Sequence, residues 1–396
     1  MQRDVVFRAA GMLTAALLSV TAGTARAGAE LSAGVWWVYQ NTLESDFSGP
    51  SSAFDENLDA ETGGSFADPA LVVYGSDDGS HGPWHFSAEM RIGTGSFSAP
   101  SRNNSGDNFT MHKAWIGYDL NENNSLKIGK SQVPFGWKTS NFWPGDILQG
   151  GYGDQMDVGL KLSGSQSRLS YDLAYYHQDD WGETSTDTVD DNGHWGTQGT
   201  FDPDGVPGNA DDYTSASYRK IKTGVVNLDF ELTAAHTLGV SYQRGRMQDL
   251  SAQTAAAQND DGKHDAVDLH YYFTHKGFNF KYRYIDASRD FSDMTSLRAN
   301  CTSCPADTDV ETTRHVAHLS LRKDRWNYYI EASRASTDTR NNLAENVEAY
   351  APGVSYQYGP GWLYLEYLWQ NGDIGSYGDV YEADFRTIYA SFDFYF

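Results

Sequence analysis

The chain has 396 residues, of which 14% are aromatic, and a formal charge of −24 at pH 7. That acidity excludes a nucleic-acid binder, which needs clustered Lys and Arg against phosphate. A mean hydropathy of −0.57 excludes a bundle of apolar membrane helices, but not a membrane barrel, in which only alternate residues meet lipid.

Residues 1–27 read as a cleaved secretory signal. Arg3 and Arg8 form the basic start, Ala9 to Val20 is mostly apolar, and Ala25-Arg26-Ala27 is a small-x-small cleavage site. Its removal takes three Arg and one Asp, changing the charge from −24 to −26. The remainder, 28–396, is expected to form one domain. Its first strand follows the cleavage site so closely that no plug or passenger domain is expected, which favours a passive pore.

Period-2 alternation predicts sixteen strands at 29–41, 68–75, 83–93, 109–120, 125–133, 157–164, 168–178, 218–231, 236–246, 263–274, 277–287, 314–323, 326–335, 347–358, 361–370 and 383–396. Trp84, Phe86, Ala88, Met90 and Ile92 alternate with His85, Ser87, Glu89 and Arg91. Phe278, Phe280, Tyr282 and Tyr284 alternate with Asn279, Lys281 and Arg283. The last strand ends on Phe392, Phe394 and Phe396, one greasy face against one wetter face. Tight turns at Asn121–Asn124, Gly164–Ser167, Thr233–Ala235, Lys276-Gly277, Asp324-Arg325 and Gly359–Gly361 alternate with long polar loops. Short connections on one side and long ones on the other predict an all-β, transmembrane, antiparallel up-and-down barrel of about 16 strands, with periplasmic turns and external loops. Aromatic residues near strand ends suit interfacial girdles. About sixteen strands leave an aqueous channel.

The third long loop, Pro134 to Met156, departs from the acidic, Ser-rich loops elsewhere. Phe135, Trp137, Phe142 and Trp143 are too apolar for an exposed tip, so the loop is expected to fold into the lumen as a constriction; packing on a neighbouring subunit is the alternative. Alternation points Arg91, Lys113, Lys127 and Lys161 inward, and Lys138 lies on the loop. Together they form a candidate anion path. A second basic patch falls on Lys281, Arg283, Arg314 and Arg322. Glu89, Asp119, Asp157, Asp172, Asp229, Asp268, Glu331 and Glu366 also point inward, so a general or cation-biased channel is the competing expectation. His112 and His315 are predicted on the lipid side.

In the fourth loop, Asp202, Asp204, Asn209 and Asp211 surround Gly205 as candidate calcium ligands, although the spacing is not that of an EF-hand. An acidic turn without metal accounts for the same residues. Cys301 and Cys304 in the sixth loop are expected to form a small disulfide in an oxidising compartment. No nucleophile elbow or phosphate loop is present, so no enzyme is expected. A non-conducting adhesin or structural outer-membrane barrel is the alternative from another class.

Residues 125–136 read SLKIGKSQVPFG. This stretch is similar to the G-K-x-x-x-P-F-G segment of the phosphate-selective porin O/P family of Gram-negative outer membranes. By motif, Gly129, Lys130, Pro134, Phe135 and Gly136 carry over. The resemblance implies a homotrimer of sixteen-stranded barrels whose lumenal Lys and Arg guide anions, and it adds Lys130 to the candidate path, although strict alternation from Lys127 faces Lys130 outward. The surroundings implied are outer-membrane lipid and lipopolysaccharide, with small hydrophilic solutes or anions passing through.

Overall fold

The computed structural model describes residues 29–47, 63–66, 69–80, 82–93, 109–142, 144, 148–178, 200–201, 213–214, 218–249, 262–292, 309–338, 346–374 and 380–396. The secretory signal, Trp143, the candidate calcium residues and both cysteines lie outside them. Sixteen long strands are present among the described residues: β1 (Ala29–Phe47), β2 (Ala70–Asp77), β3 (Trp84–Ile92), β4 (Phe109–Asn121), β5 (Asn124–Gln132), β6 (Met156–Gln166), β7 (Leu169–Gln178), β8 (Tyr218–Thr233), β9 (His236–Asp249), β10 (Gly262–His275), β11 (Phe278–Asp290), β12 (Asp309–Lys323), β13 (Trp326–Thr337), β14 (Val347–Gln357), β15 (Trp362–Ile374) and β16 (Val380–Tyr395). The two-residue strand Ser65–Phe66 joins the sheet beside β1, and Thr200–Phe201 pairs with Tyr213–Thr214.

Each long strand pairs antiparallel with its neighbours in the chain. β1 pairs with β2 and also with β16, from Gly34 opposite Tyr395 to Phe47 opposite Ala383. Among the described residues every long strand is paired on both sides, so the sheet is closed, the condition for a β structure to cross hydrocarbon.

Alternation divides the wall into two surfaces. Ile116, Ile128, Leu160 and Tyr175 stand side by side across β4 to β7, each roughly half exposed. The adjacent row, Gly117, Lys127, Lys161 and Ala174, faces the interior. An apolar row outside and a polar row inside invert the usual core, the arrangement a barrel needs when its apolar side faces lipid. Aromatic pairs band the outer surface: Trp84 with Tyr118 at 4.7 Å and Trp326 with Tyr356 at 4.6 Å near the tight turns, and Tyr350 with Trp369 at 4.9 Å further along the strands.

The tight turns cluster at one end of the barrel. At Ser167, Lys276 and Asp324 the chain adopts positive φ (57°, 48° and 56°) without glycine. The turn expected at Gly164–Ser167 lies at Ser167-Arg168, because β6 continues to Gln166. At the opposite end several strands outrun their predicted bounds; β1 reaches Phe47 and β12 begins at Asp309. Polar outward residues there end the hydrophobic alternation while backbone pairing continues. Arg386 of β16, for example, bridges Glu44 of β1 across the seam at 2.8 Å and Asp384 of its own strand at 2.6 Å.

In β4 the alternation breaks at a bulge. Glu89 pairs with Lys113 and Met90 with Met111, so His112 is an extra residue in β4. Such a bulge turns two successive side chains to one side. Hence His112, expected toward lipid, is buried instead, within electrostatic reach of Arg91, Lys113, Lys130 and Lys138. His315 is exposed on the outer surface, beside Tyr282 and Tyr284.

Candidate functional site

Between β5 and β6 the described residues are 133–142, 144 and 148–155, and several of them bond to inward side chains of the far wall. The Gly136 amide donates to Ser241 Oγ of β9 at 2.9 Å. The Phe142 amide donates to Glu366 Oε1 of β15 at 2.8 Å, and Gln149 Nε2 donates to Glu331 Oε1 of β13 at 3.2 Å. Lys281 of β11 donates to Ser140 Oγ at 2.8 Å, and Arg314 of β12 to the Leu148 carbonyl at 3.4 Å. Apolar packing adds to these bonds. Phe135 and Tyr152 are buried with Ala174, Val225, Ala266 and Ile285, while Leu148 is buried with Val38, Leu368 and Phe385. Phe142 stacks on Tyr364 at 4.6 Å and meets Trp36 edge-on at 5.5 Å.

Arg283 lies at the centre of this attachment and is fully buried. Its Nε donates to Asp268 Oδ2 at 2.6 Å. One terminal nitrogen donates to Gln149 Oε1 at 2.6 Å and to the Trp137 carbonyl at 3.3 Å. The other donates to the Phe135 carbonyl at 3.2 Å. Asp268 is held in turn by His270, whose other ring nitrogen lies 2.8 Å from Asp229. Three members of the second basic patch, Lys281, Arg283 and Arg314, thus bond to the loop. The fourth, Arg322, is exposed and lies over the Trp362 ring.

The candidate anion-path cations lie on the near wall, β3 to β6, and on the loop. Arg91 contacts Glu89 at 2.8 Å and lies 5.0 Å from the Trp36 ring centre; Lys113 lies 3.9 Å from Glu89. Lys127 and Lys161 occupy directly opposed positions on β5 and β6. Lys127 lies 4.3 Å over the Trp115 ring, and Lys161 donates to the Gln132 carbonyl at 2.7 Å. Lys138 on the loop pairs with Asp154 at 2.9 Å. Lys130 is buried although its cross-strand neighbour Val158 is exposed. Gly129, at φ 126°, gives the backbone a state that side chains rarely adopt, and the alternation fails there.

Asp268, Glu331 and Glu366 are buried and bonded to loop residues or to Arg283. Glu89 is held between Arg91 and Lys113, whereas Asp119 remains about half exposed. Sequence reading placed these carboxylates inside but gave no sign that three of them carry the loop. Gln149, Ser241 and Tyr152 were missed as well; a small or polar residue amid aromatics, as at Gly136 and Gln149, was their only signal. Among the described residues no group of His, Cys, Asp and Glu is arranged to hold a metal ion.

A closed barrel with an apolar outside, a polar inside and an internally attached loop defines an outer-membrane channel of the porin class. The family model described as phosphate-selective porin O and P matches residues 39–237, and the chain belongs to that family. The fold matches the outer membrane channel DcaP of Acinetobacter baumannii with a TM-score of 0.57 at 11% identity, covering 93% of this chain and 98% of that one. The trimer form of OmpT from Vibrio cholerae matches with a TM-score of 0.54 at 9% identity, over 93% and 99% of the two chains. The anion-selective porin from Comamonas acidovorans matches with 0.52 at 9% identity, again over 93% and 99%. No curated protein matches the sequence.

Proposed function

We propose that this outer-membrane porin is a water-filled, anion-biased channel for passive diffusion of small hydrophilic solutes, narrowed by its third loop. The observation that carries the reading is the direct opposition of Lys127 and Lys161 on the inward row. Like charges placed across a ladder oppose sheet stability, so their juxtaposition on the wall is better explained by a field offered to the lumen. Arg91, Lys113, Lys130 and Lys138 extend that field around His112. Three of the eight acids that argued for a general porin bear less on permeation, because Asp268, Glu331 and Glu366 are engaged in holding the loop.

The family description supports phosphate among the permeant anions. The anion-selective Comamonas porin and the trimeric OmpT share the fold, and they support anion passage and a homotrimer here. Lipopolysaccharide is the proposed external neighbour of the acidic loops, and calcium at Asp202, Asp204, Asn209 and Asp211 is part of the same proposal. Reversal potential and single-channel conductance in a planar bilayer under a KCl gradient, repeated with phosphate, test the reading. An anion-biased reversal potential with phosphate block supports it. Neutral or cation-biased current without block makes the protein a general porin, and absence of current returns it to the adhesin alternative.

A further inference from the structure

A buried arginine inside an anion channel invites the reading that it attracts the permeant ion, but the surroundings of Arg283 give it different work. Its side chain has no solvent exposure. Its bonds run to Asp268, to Gln149 and to the carbonyls of Phe135 and Trp137, and the rings of Phe135 and Trp137 lie 5.6 and 5.8 Å from the guanidinium carbon. A permeating anion meets neither its charge, which Asp268 compensates, nor its donors, which are directed at the loop.

The bonded groups belong to both limbs of the loop. Phe135 and Trp137 lie on the outgoing limb and Gln149 on the returning one, so one planar guanidinium ties both limbs to β11. The fit is close. A Cβ on Gly136 would lie 2.5 Å from an Arg283 terminal nitrogen and 2.9 Å from Asp268 Oδ1. Behind the guanidinium, the chain from Asp268 through His270 to Asp229 fixes the carboxylate that orients it.

We infer that Arg283 is a positioning residue that sets the aperture of the channel by clamping the two limbs of the third loop, rather than a residue that selects ions by charge. This rests on the reading of that loop as the constriction. The clamp depends on the planar fork of arginine, which an ammonium cannot reproduce although it carries the same charge.

The test compares wild type, Arg283→Lys, Arg283→Gln and a variant whose residues 137–149 are replaced by a short Gly-Ser linker. Each is first checked for heat-modifiable mobility of the folded barrel. Liposome swelling with neutral sugars of increasing size then reads the aperture, and reversal potential reads charge selection. Both Arg283 variants are expected to admit the largest sugar that wild type barely passes about twofold faster or more, since pore diameter governs neutral solutes. Wild-type swelling in Arg283→Lys would overturn the clamp, as would an Arg283→Gln effect confined to reversal potential. If the linker variant widens the pore and neither Arg283 variant does, the clamp alone fails. If the linker variant keeps the wild-type size limit, the loop is not the constriction and the clamp falls with that reading.

Discussion

Lys138 Nζ lies 2.9 Å from Asp154 Oδ1, an ion pair that joins the outgoing and returning limbs of the third loop. The lysine side chain is about half exposed and the aspartate about a quarter, so water screens the pair and it contributes no more than about 1 kcal/mol to holding the limbs together. Its larger consequence is electrostatic. Lys138→Glu is expected to lower the anion-to-cation permeability ratio, and Asp154→Asn to raise it, in reversal-potential measurements under a KCl gradient. An unchanged ratio in Lys138→Glu would remove Lys138 from the lining of the aperture.

Gly136→Ala tests loop seating from the other side of the clamp. Gly136 has φ 64°, where a Cβ costs about 1–2 kcal/mol, and the added carbon would also collide with Arg283. The strands themselves are untouched. Gly136→Ala is therefore expected to leave the thermal midpoint of the barrel within a few degrees of wild type while accelerating neutral-sugar swelling. A large fall in the midpoint would show that loop seating and wall stability are one cooperative unit.

The wall was legible in the sequence because lipid imposes a strict period of two. Rows such as Trp84 to Ile92 and Phe278 to Tyr284 need only local pattern to be read. The end of β1 around Glu44 was not legible, since the outward face turns polar there while pairing continues. The bulge at His112 adds a residue with no compositional mark. The loop's composition announced burial, but its partners did not follow from sequence: Gly136 and Ser241 are separated by 105 residues, and Phe142 and Glu366 by 224. Contacts at that distance depend on barrel closure, which no local pattern encodes.

Leu160 and Lys161 are adjacent in sequence and face opposite solvents. Leu160 stands between Ile128 and Tyr175 on the outer surface, and Lys161 stands between Lys127 and Ala174 inside. Leu160→Arg is expected to destabilise the barrel by about 2–4 kcal/mol if the site lies near the bilayer midplane. Lys161→Leu removes a like charge facing Lys127 and is expected to change stability much less while reducing anion preference. Urea unfolding in lipid vesicles, paired with reversal potential, measures both. Equal destabilisation by the two substitutions would contradict the assignment of faces.

Asp393 closes the tight-turn end of the barrel. Its Oδ1 accepts the Trp362 amide at 2.5 Å, its Oδ2 accepts the Tyr395 hydroxyl at 3.2 Å, and its backbone carbonyl accepts the Tyr358 hydroxyl at 2.6 Å. The two side-chain bonds link Asp393 to the start of β15 and to Tyr395 of its own strand, whose amide also donates to the Pro360 carbonyl in the connection between β14 and β15. Asp393→Ala leaves the Trp362 amide without that acceptor and is expected to cost about 1–3 kcal/mol, read as a lower urea midpoint in vesicles. Asp393→Asn keeps an acceptor oxygen for the amide and is expected to lose less. Equal losses would mean that the carboxylate charge, rather than its hydrogen bond to Trp362, stabilises the closing strand.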